Sequence, residues 1–280
     1  MEKNALIERS IIKKFRKPIW NRFIEAIQSY ELIQRDDNVA VCISGGKDSF
    51  LMAKLLQELQ RHGNTPFNLK FICMDPGYSQ INRARIEQNC KIMNIPIDIF
   101  ETDIFGAVEH IEQSPCYLCA RMRRGHLYHY AKEQSCNKIA LGHHFNDVIE
   151  TALMGMLFSG QYQTMMPKLH STNFKGMELI RPLYCIREDD IKAFARYSGL
   201  EFLNCACRFT EQAAFCDINS NQMQISKRKY CKDLIKQLKE DNDLIDVNIF
   251  RSLHRVNLNT IIGYVKDGKE VSFLDNYDVK

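Results

Sequence analysis

No stretch of this 280-residue chain approaches the ~18 to 20 consecutive apolar residues that a membrane-spanning helix needs, which excludes a helical integral membrane protein. The segment Met1 to Ser10 carries charges where a secretory signal would carry its apolar region, so a cytoplasmic protein with no membrane partner is expected. A large charge excess is missing too: the net charge of +4 is small for this length, and the total alone does not announce a nucleic-acid partner. Internal repeats, low-complexity segments and obvious linkers are absent, which excludes solenoid and collagen-like architectures. With 45% hydrophobic residues the chain can bury a real core, in one large domain or two modest ones, so intrinsic disorder is excluded as well.

Cysteine is abundant. Eleven are present, an odd count that cannot pair completely into disulfides, and without a secretory signal they are expected to serve as metal ligands, catalytic groups or buried small hydrophobes. Cys42, Cys73 and Cys136 sit in or beside apolar runs and take the last reading. Cys116-Tyr-Leu-Cys119 is different, because one Cys-x-x-Cys pair cannot finish a tetrahedral metal site; Cys205 and Cys207 are the candidates to complete it. Three thiolates would leave one iron of a [4Fe–4S] cubane open, whereas four would close a structural site, and the spacing by itself leaves both readings standing.

Along the chain, residues 5–33 place Ile11, Ile12, Phe15, Ile19, Phe23, Ile24 and Ile27 at helical spacing among lysines and arginines, predicting a basic amphipathic helix or pair broken near Pro18. Val39 to Ile43 then reads as a strand, Ser44-Gly-Gly46 as a turn, and Phe50 to Leu59 as a helix. The pattern continues with strands at 69–74, 95–100 and 138–142 and helices at 79–93 and 147–158. Strands alternating with helices over 37–200 predict an α/β fold with a mostly parallel sheet covered on both faces. The expected organisation is a basic helical region over 1–36, a catalytic domain over 37–210 and a mainly helical extension over 211–280.

Ser44-Gly-Gly-Lys-Asp-Ser49 follows a buried-strand pattern and opens a helix, so its backbone N–H groups can converge on an anion at the positive end of the helix dipole. Gly45 and Gly46 allow close backbone approach, Lys47 adds a positive charge, and Ser44 and Ser49 add hydroxyls. The pattern is neither the Walker loop nor the spaced dinucleotide fingerprint. Asp48 is placed to hold Mg²⁺ on a polyphosphate or to accept a proton.

This segment resembles the PP-loop of the N-type ATP pyrophosphatase superfamily, which implies a Rossmann-like fold and cleavage of ATP between its α- and β-phosphates. The resemblance extends through Cys116-x-x-Cys119 with Arg121-Met-Arg-Arg-Gly125, Gly142-His-His144 with Asp147, Met166-Pro-Lys-Leu169 and Ile180-Arg-Pro-Leu183. In order and spacing these resemble the TtcA-type tRNA 2-thiocytidine synthetases over residues 37–210. The implied activity adenylates the C2 oxygen of cytidine 32 in tRNA and replaces it with sulfur. The implied requirements are ATP, Mg²⁺, a three-cysteine [4Fe–4S] cluster, a sulfur donor such as a cysteine desulfurase system, and a homodimer.

Carried over residue by residue, the resemblance makes Cys116, Cys119 and Cys207 the cluster ligands, with Cys205 in reserve because Cys205-x-Cys207 is one residue shorter than the family's pattern. It also implies nucleotide contacts from Asp75, Gly142, His143 and Arg181, and catalytic roles for Lys47, Asp48 and Cys207. Asp75 before Pro-Gly equally fits a simple turn, and Arg181 a strand-end cation. Arg121, Arg123 and Arg124 fit a phosphate-tracking RNA surface. The rival readings are a PP-loop thiolase acting on another tRNA position and a non-catalytic iron–sulfur or nucleotide sensor that binds RNA.

Overall fold

The computed structural model describes residues 2–104, 115–203 and 222–278, of which 115–120, 222–226 and 276 are described by their backbone alone. Two compact units emerge, Met1–Cys231 and Lys232–Lys280.

The first unit opens with helices α1 (Lys3–Ile12) and α2 (Asn21–Ser29), joined through a π-helical turn over Arg16–Trp20. Pro18 sits inside that turn, where its missing N–H and bulky ring break the regular ladder. The sequence break expected at this proline is therefore a widened turn within a nearly continuous helical segment.

A six-stranded sheet follows, in the order β3-β2-β1-β4-β6-β5. It is built from β1 (Asn38–Cys42), β2 (Asn68–Asp75), β3 (Ile97–Glu101), β4 (Lys138–Ala140), β5 (Lys168–His170) and β6 (Glu178–Ile180). All neighbours run parallel except β5, which pairs antiparallel with β6 at one edge. The interleaved helices are α3 (Lys47–His62), α4 (Gln80–Ile92), α5 (Pro115–Glu133), α6 (Phe145–Ser159) and α7 (Glu188–Ser198). The α/β class and mostly parallel sheet expected from the alternating pattern are what the chain adopts.

β1 is central: Val39 pairs with Leu69 on one side and Lys138 on the other, and Val39, Ala40 and Val41 are fully buried. From β1 the chain runs outward through β2 and β3, then returns to the opposite side of β1 as β4. That reversal opens a crevice beyond the carboxyl ends of β1 and β4, where α/β sheets bind ligands. The loops Ser44–Gly46 and Leu141–His144 leave those two ends.

Both sheet faces are covered. α3 is buried all round from Ser49 to Glu58, because the sheet takes one side and α1 and α7 cover the rest. Lys54 on α3 is fully buried and bonds Glu8 (2.7 Å), Asn4 (3.1 Å) and the Met93 carbonyl (2.9 Å). On the opposite face, Tyr128 and Ala131 of α5 pack on Ala40, Cys42, Ile72 and Ile139. Cys42, Cys73 and Cys136 are buried free thiols, as the apolar surroundings predict, and burial pushes the Cys73 thiol up to about 12.

Helix α8 (Gln222–Asp241) leads into the second unit, which adds α9 (Ile245–Ser252) and an antiparallel hairpin, β7 (Gly263–Lys266) with β8 (Lys269–Ser272). Asp267 and Gly268 turn it with φ of 52° and 76°, the two left-handed residues of a tight hairpin. Among the described residues no helix is long and apolar enough to cross a membrane.

Candidate active site

The glycine loop is held against the first turn of α3 by its own serines. Ser49 Oγ accepts from the Ser44 amide (3.2 Å) and donates to the Gly46 carbonyl (2.8 Å). Gly45 has φ of +86°, a left-handed conformation that suits glycine. α3 starts at Lys47 with Gly46 as its N-cap and no side-chain cap, so its N-terminal turn presents the positive end of the dipole. Lys47 Nζ lies 3.0 Å from Asp48 Oδ2, while Asp48 Oδ1 is buried without a partner among the described residues.

Gly142, just beyond β4, packs directly on this loop: a Cβ there would sit 3.3 Å from the Asp48 carbonyl carbon and from the Ser49 nitrogen. Its lack of a side chain lets the β4 turn and the glycine loop meet. Leu203 closes the other side, donating its N–H to the Gly45 carbonyl at 2.9 Å.

Together these elements enclose a cavity of about 570 Å³ lined by Ser44, Gly46, Lys47 and Asp48, with Arg123 of α5, Lys192 of α7 and Leu203 at its walls. Arg123 lies one helical turn after position 119, and Leu203 lies two residues before Cys205. Positions 116 and 119 share one face of the α5 backbone. Cys205 and Cys207 lie outside the described residues.

The other expected nucleotide contacts fall elsewhere. His143 and Arg181 line a second cavity of about 540 Å³ together with Arg121 and Arg124. Asp75 lines a third, beside Arg83. Its Oδ1 accepts from the amides of Gly77 (2.9 Å) and Tyr78 (2.7 Å), and its Oδ2 bonds Arg83 (2.9 Å). The carboxylate thus does the work of the turn reading.

His143 is largely buried. Burial, with Arg181 next, holds its pKa down to about 4, so the imidazole is neutral at physiological pH. Asp147 caps α6 through the His144 amide (3.0 Å) and bonds Arg228 of α8 (2.9 Å). Neither Arg228 nor Lys192 was legible as a site neighbour. Their only signal was membership of charged helices, and Arg228 stands 81 residues from its partner.

A family model described as the PP-loop domain matches residues 14–207. The chain is 32% identical over 256 residues to the tRNA-cytidine(32) 2-sulfurtransferase of Geotalea uraniireducens, covering 90% of this chain and 95% of that protein. It is 34% identical over 249 residues to the protein of the same name from Coxiella burnetii, covering 87% and 91%. Among solved structures it resembles the U34-tRNA thiolase NcsA from Methanococcus maripaludis, which carries a [4Fe–4S] cluster. That likeness has a TM-score of 0.66 at 23% identity and covers 92% of this chain and 82% of that one, a likeness of fold.

Proposed function

The chain belongs to the PP-loop tRNA-cytidine(32) 2-sulfurtransferase family, and from that premise we propose how its own residues serve the replacement of the C2 oxygen of cytidine 32 in tRNA by sulfur. It is an ATP-dependent transferase acting on tRNA. The observation that carries the residue assignment is that one cavity is lined both by the PP-loop and by Arg123 and Leu203, which flank the two cysteine-bearing stretches.

In the first step the base oxygen attacks the α-phosphorus of ATP and pyrophosphate leaves. Lys47 and the open N-terminal turn of α3 bind the β- and γ-phosphates and stabilise the charge that builds on the leaving group. Gly45 and Gly46 let the backbone reach those oxygens. Asp48, with one buried oxygen unpartnered, is the carboxylate that would hold Mg²⁺ on the phosphates. In the second step a sulfur nucleophile adds to C2, the C–O bond to the adenylate breaks and AMP departs.

An all-cysteine donor set suits a soft iron–sulfur centre, and a pair one turn apart on α5 fits two of its ligands. A [4Fe–4S] cluster held by Cys116, Cys119 and Cys207 would leave one iron free of protein ligand and supply sulfur as the nucleophile. Arg123, which lines the loop's cavity, orients phosphate oxygens. A cysteine desulfurase as sulfur donor, a homodimer and a cytoplasmic location complete the proposal.

The test is mass spectrometry of tRNA nucleosides from a deletion strain complemented with wild type, Lys47→Ala or Cys119→Ala. Wild type should restore 2-thiocytidine at position 32. Lys47→Ala should lower the thiolation rate about 100-fold, the scale of losing one charge-stabilising group, and Cys119→Ala should abolish it. Thiocytidine levels indifferent to the gene would overturn the reading. So would full restoration by Cys119→Ala.

A further inference from the structure

The second cavity has no role in the steps above. Among the described residues three arginines line it (Arg121, Arg124 and Arg181), and no carboxylate does. Arg181 is only 9% exposed. One of its terminal nitrogens donates to the Met166 carbonyl, while its Nε has no partner among the described residues; His143 Nδ1, in the same cavity, has none there either. Asp147, whose charge reaches both groups, is already engaged by Arg228 and the His144 amide. A buried guanidinium without a carboxylate is costly unless an anion completes it.

The rest of the lining includes aromatic and polar side chains. Tyr128 and Phe174 stack with ring planes 11° apart and centroids 5.0 Å apart, and Ser171, Thr172 and Asn173 offer hydroxyl and amide groups beside them. Guanidinium forks for phosphate, an aromatic face for a base and short polar side chains for a ribose are the combination that reads single-stranded RNA.

The two cavities share their framework. On α5, Arg123 faces the first cavity while Arg121 and Arg124 face the second. In the β4 turn, Gly142 touches the PP-loop and the next residue, His143, lines the second cavity. Resting on the tRNA-thiolation reading, we propose that the second cavity seats a nucleotide of the substrate's single-stranded loop, with Arg121, Arg124 and Arg181 on its phosphodiester and Phe174 against its base. The neighbouring target base is thereby kept within reach of the ATP cavity. Arg181 then serves RNA in place of the nucleotide cofactor that its motif implies.

The test uses the full chain and measures tRNA binding as a function of salt, without ATP, for wild type, the Arg121→Gln/Arg124→Gln pair and Phe174→Leu. ATP affinity is measured separately without tRNA. Both arginines are exposed, so the pair should keep the wild-type thermal midpoint. The pair should weaken tRNA binding about tenfold or more and reduce the log–log salt slope by about one per arginine, with ATP affinity unchanged. Phe174→Leu should weaken binding several-fold with the slope unchanged, because it removes stacking and no charge. Wild-type tRNA affinity and slope in the arginine pair would overturn the proposal, as would a loss confined to ATP affinity. Failure of the functional reading would look different: wild type itself would then restore no thiocytidine in the complementation assay.

Discussion

The amide of Leu203 donates to the carbonyl of Gly45 at 2.9 Å, so the PP-loop is fastened to the residue that leads into the second cysteine-bearing stretch. The fit between the two is tight. A Cβ on Gly45 would lie 2.6 Å from Leu203 Cδ1, and Gly45 already holds a φ of +86° that L-residues adopt at a cost of about 1 to 3 kcal/mol.

Gly45→Ala should therefore lower the thermal midpoint and weaken ATP binding about tenfold or more, since strain of ~1.4 kcal/mol already equals a factor of ten. Adding Leu203→Ala removes the clash and leaves the dihedral strain. The double variant should recover part of the ATP affinity lost in Gly45→Ala, as measured by calorimetric titration. No recovery would mean that the contact between the two side chains is irrelevant to the loop.

His143 predicts a pH signature in stability. Its imidazole has a pKa near 4 in the fold, against about 6.5 when free. Between those values the unfolded chain binds a proton that the folded chain does not, so stability declines as pH falls from 6.5 to 4 and levels off below. The component is on the order of 3 kcal/mol. Urea unfolding midpoints of wild type and His143→Gln, compared from pH 7 to pH 4, should converge as the pH drops. Parallel profiles would show that His143 titrates normally.

Lys54 ties helix α1 to the sheet-bearing core. It is fully buried, its ammonium shared among Glu8, Asn4, Gln57 and the Met93 carbonyl. Lys54→Ala should cost about 3 to 5 kcal/mol, the penalty of breaking a buried ion pair by removing one partner. Lys54→Met keeps the packing of the stem and should lose less. Denaturant midpoints report both, and a Lys54→Ala variant as stable as wild type would show that α1 does not depend on this contact.

Much of the architecture was legible because it is local. The apolar run Val39–Ile43, the glycines after it and the periodicity of Phe50 to Leu59 dictate a strand, a turn and a helix through side-chain period and backbone freedom alone. The short strands Lys168–His170 and Glu178–Ile180 were not legible, since three residues are too few to carry a period. Asp75 shows the boundary well: its neighbours Pro76 and Gly77 announced a turn, and only the folded chain revealed that Arg83 takes its remaining oxygen.

By itself the sequence determined the strands β1 to β4, the glycine loop after β1 and the cysteine pair that sets this chain apart from ordinary nucleotide binders. Tertiary structure alone decided the division of the arginines, with Arg123 on the cavity of the glycine loop and Arg121, Arg124 and Arg181 on the other. It also decided the seating of Gly142 on Asp48 and the reach of Arg228 to Asp147. The reason is physical: periodicity and turn chemistry act over a few residues, whereas which cavity a side chain enters depends on how distant elements are brought into register by burial of the core.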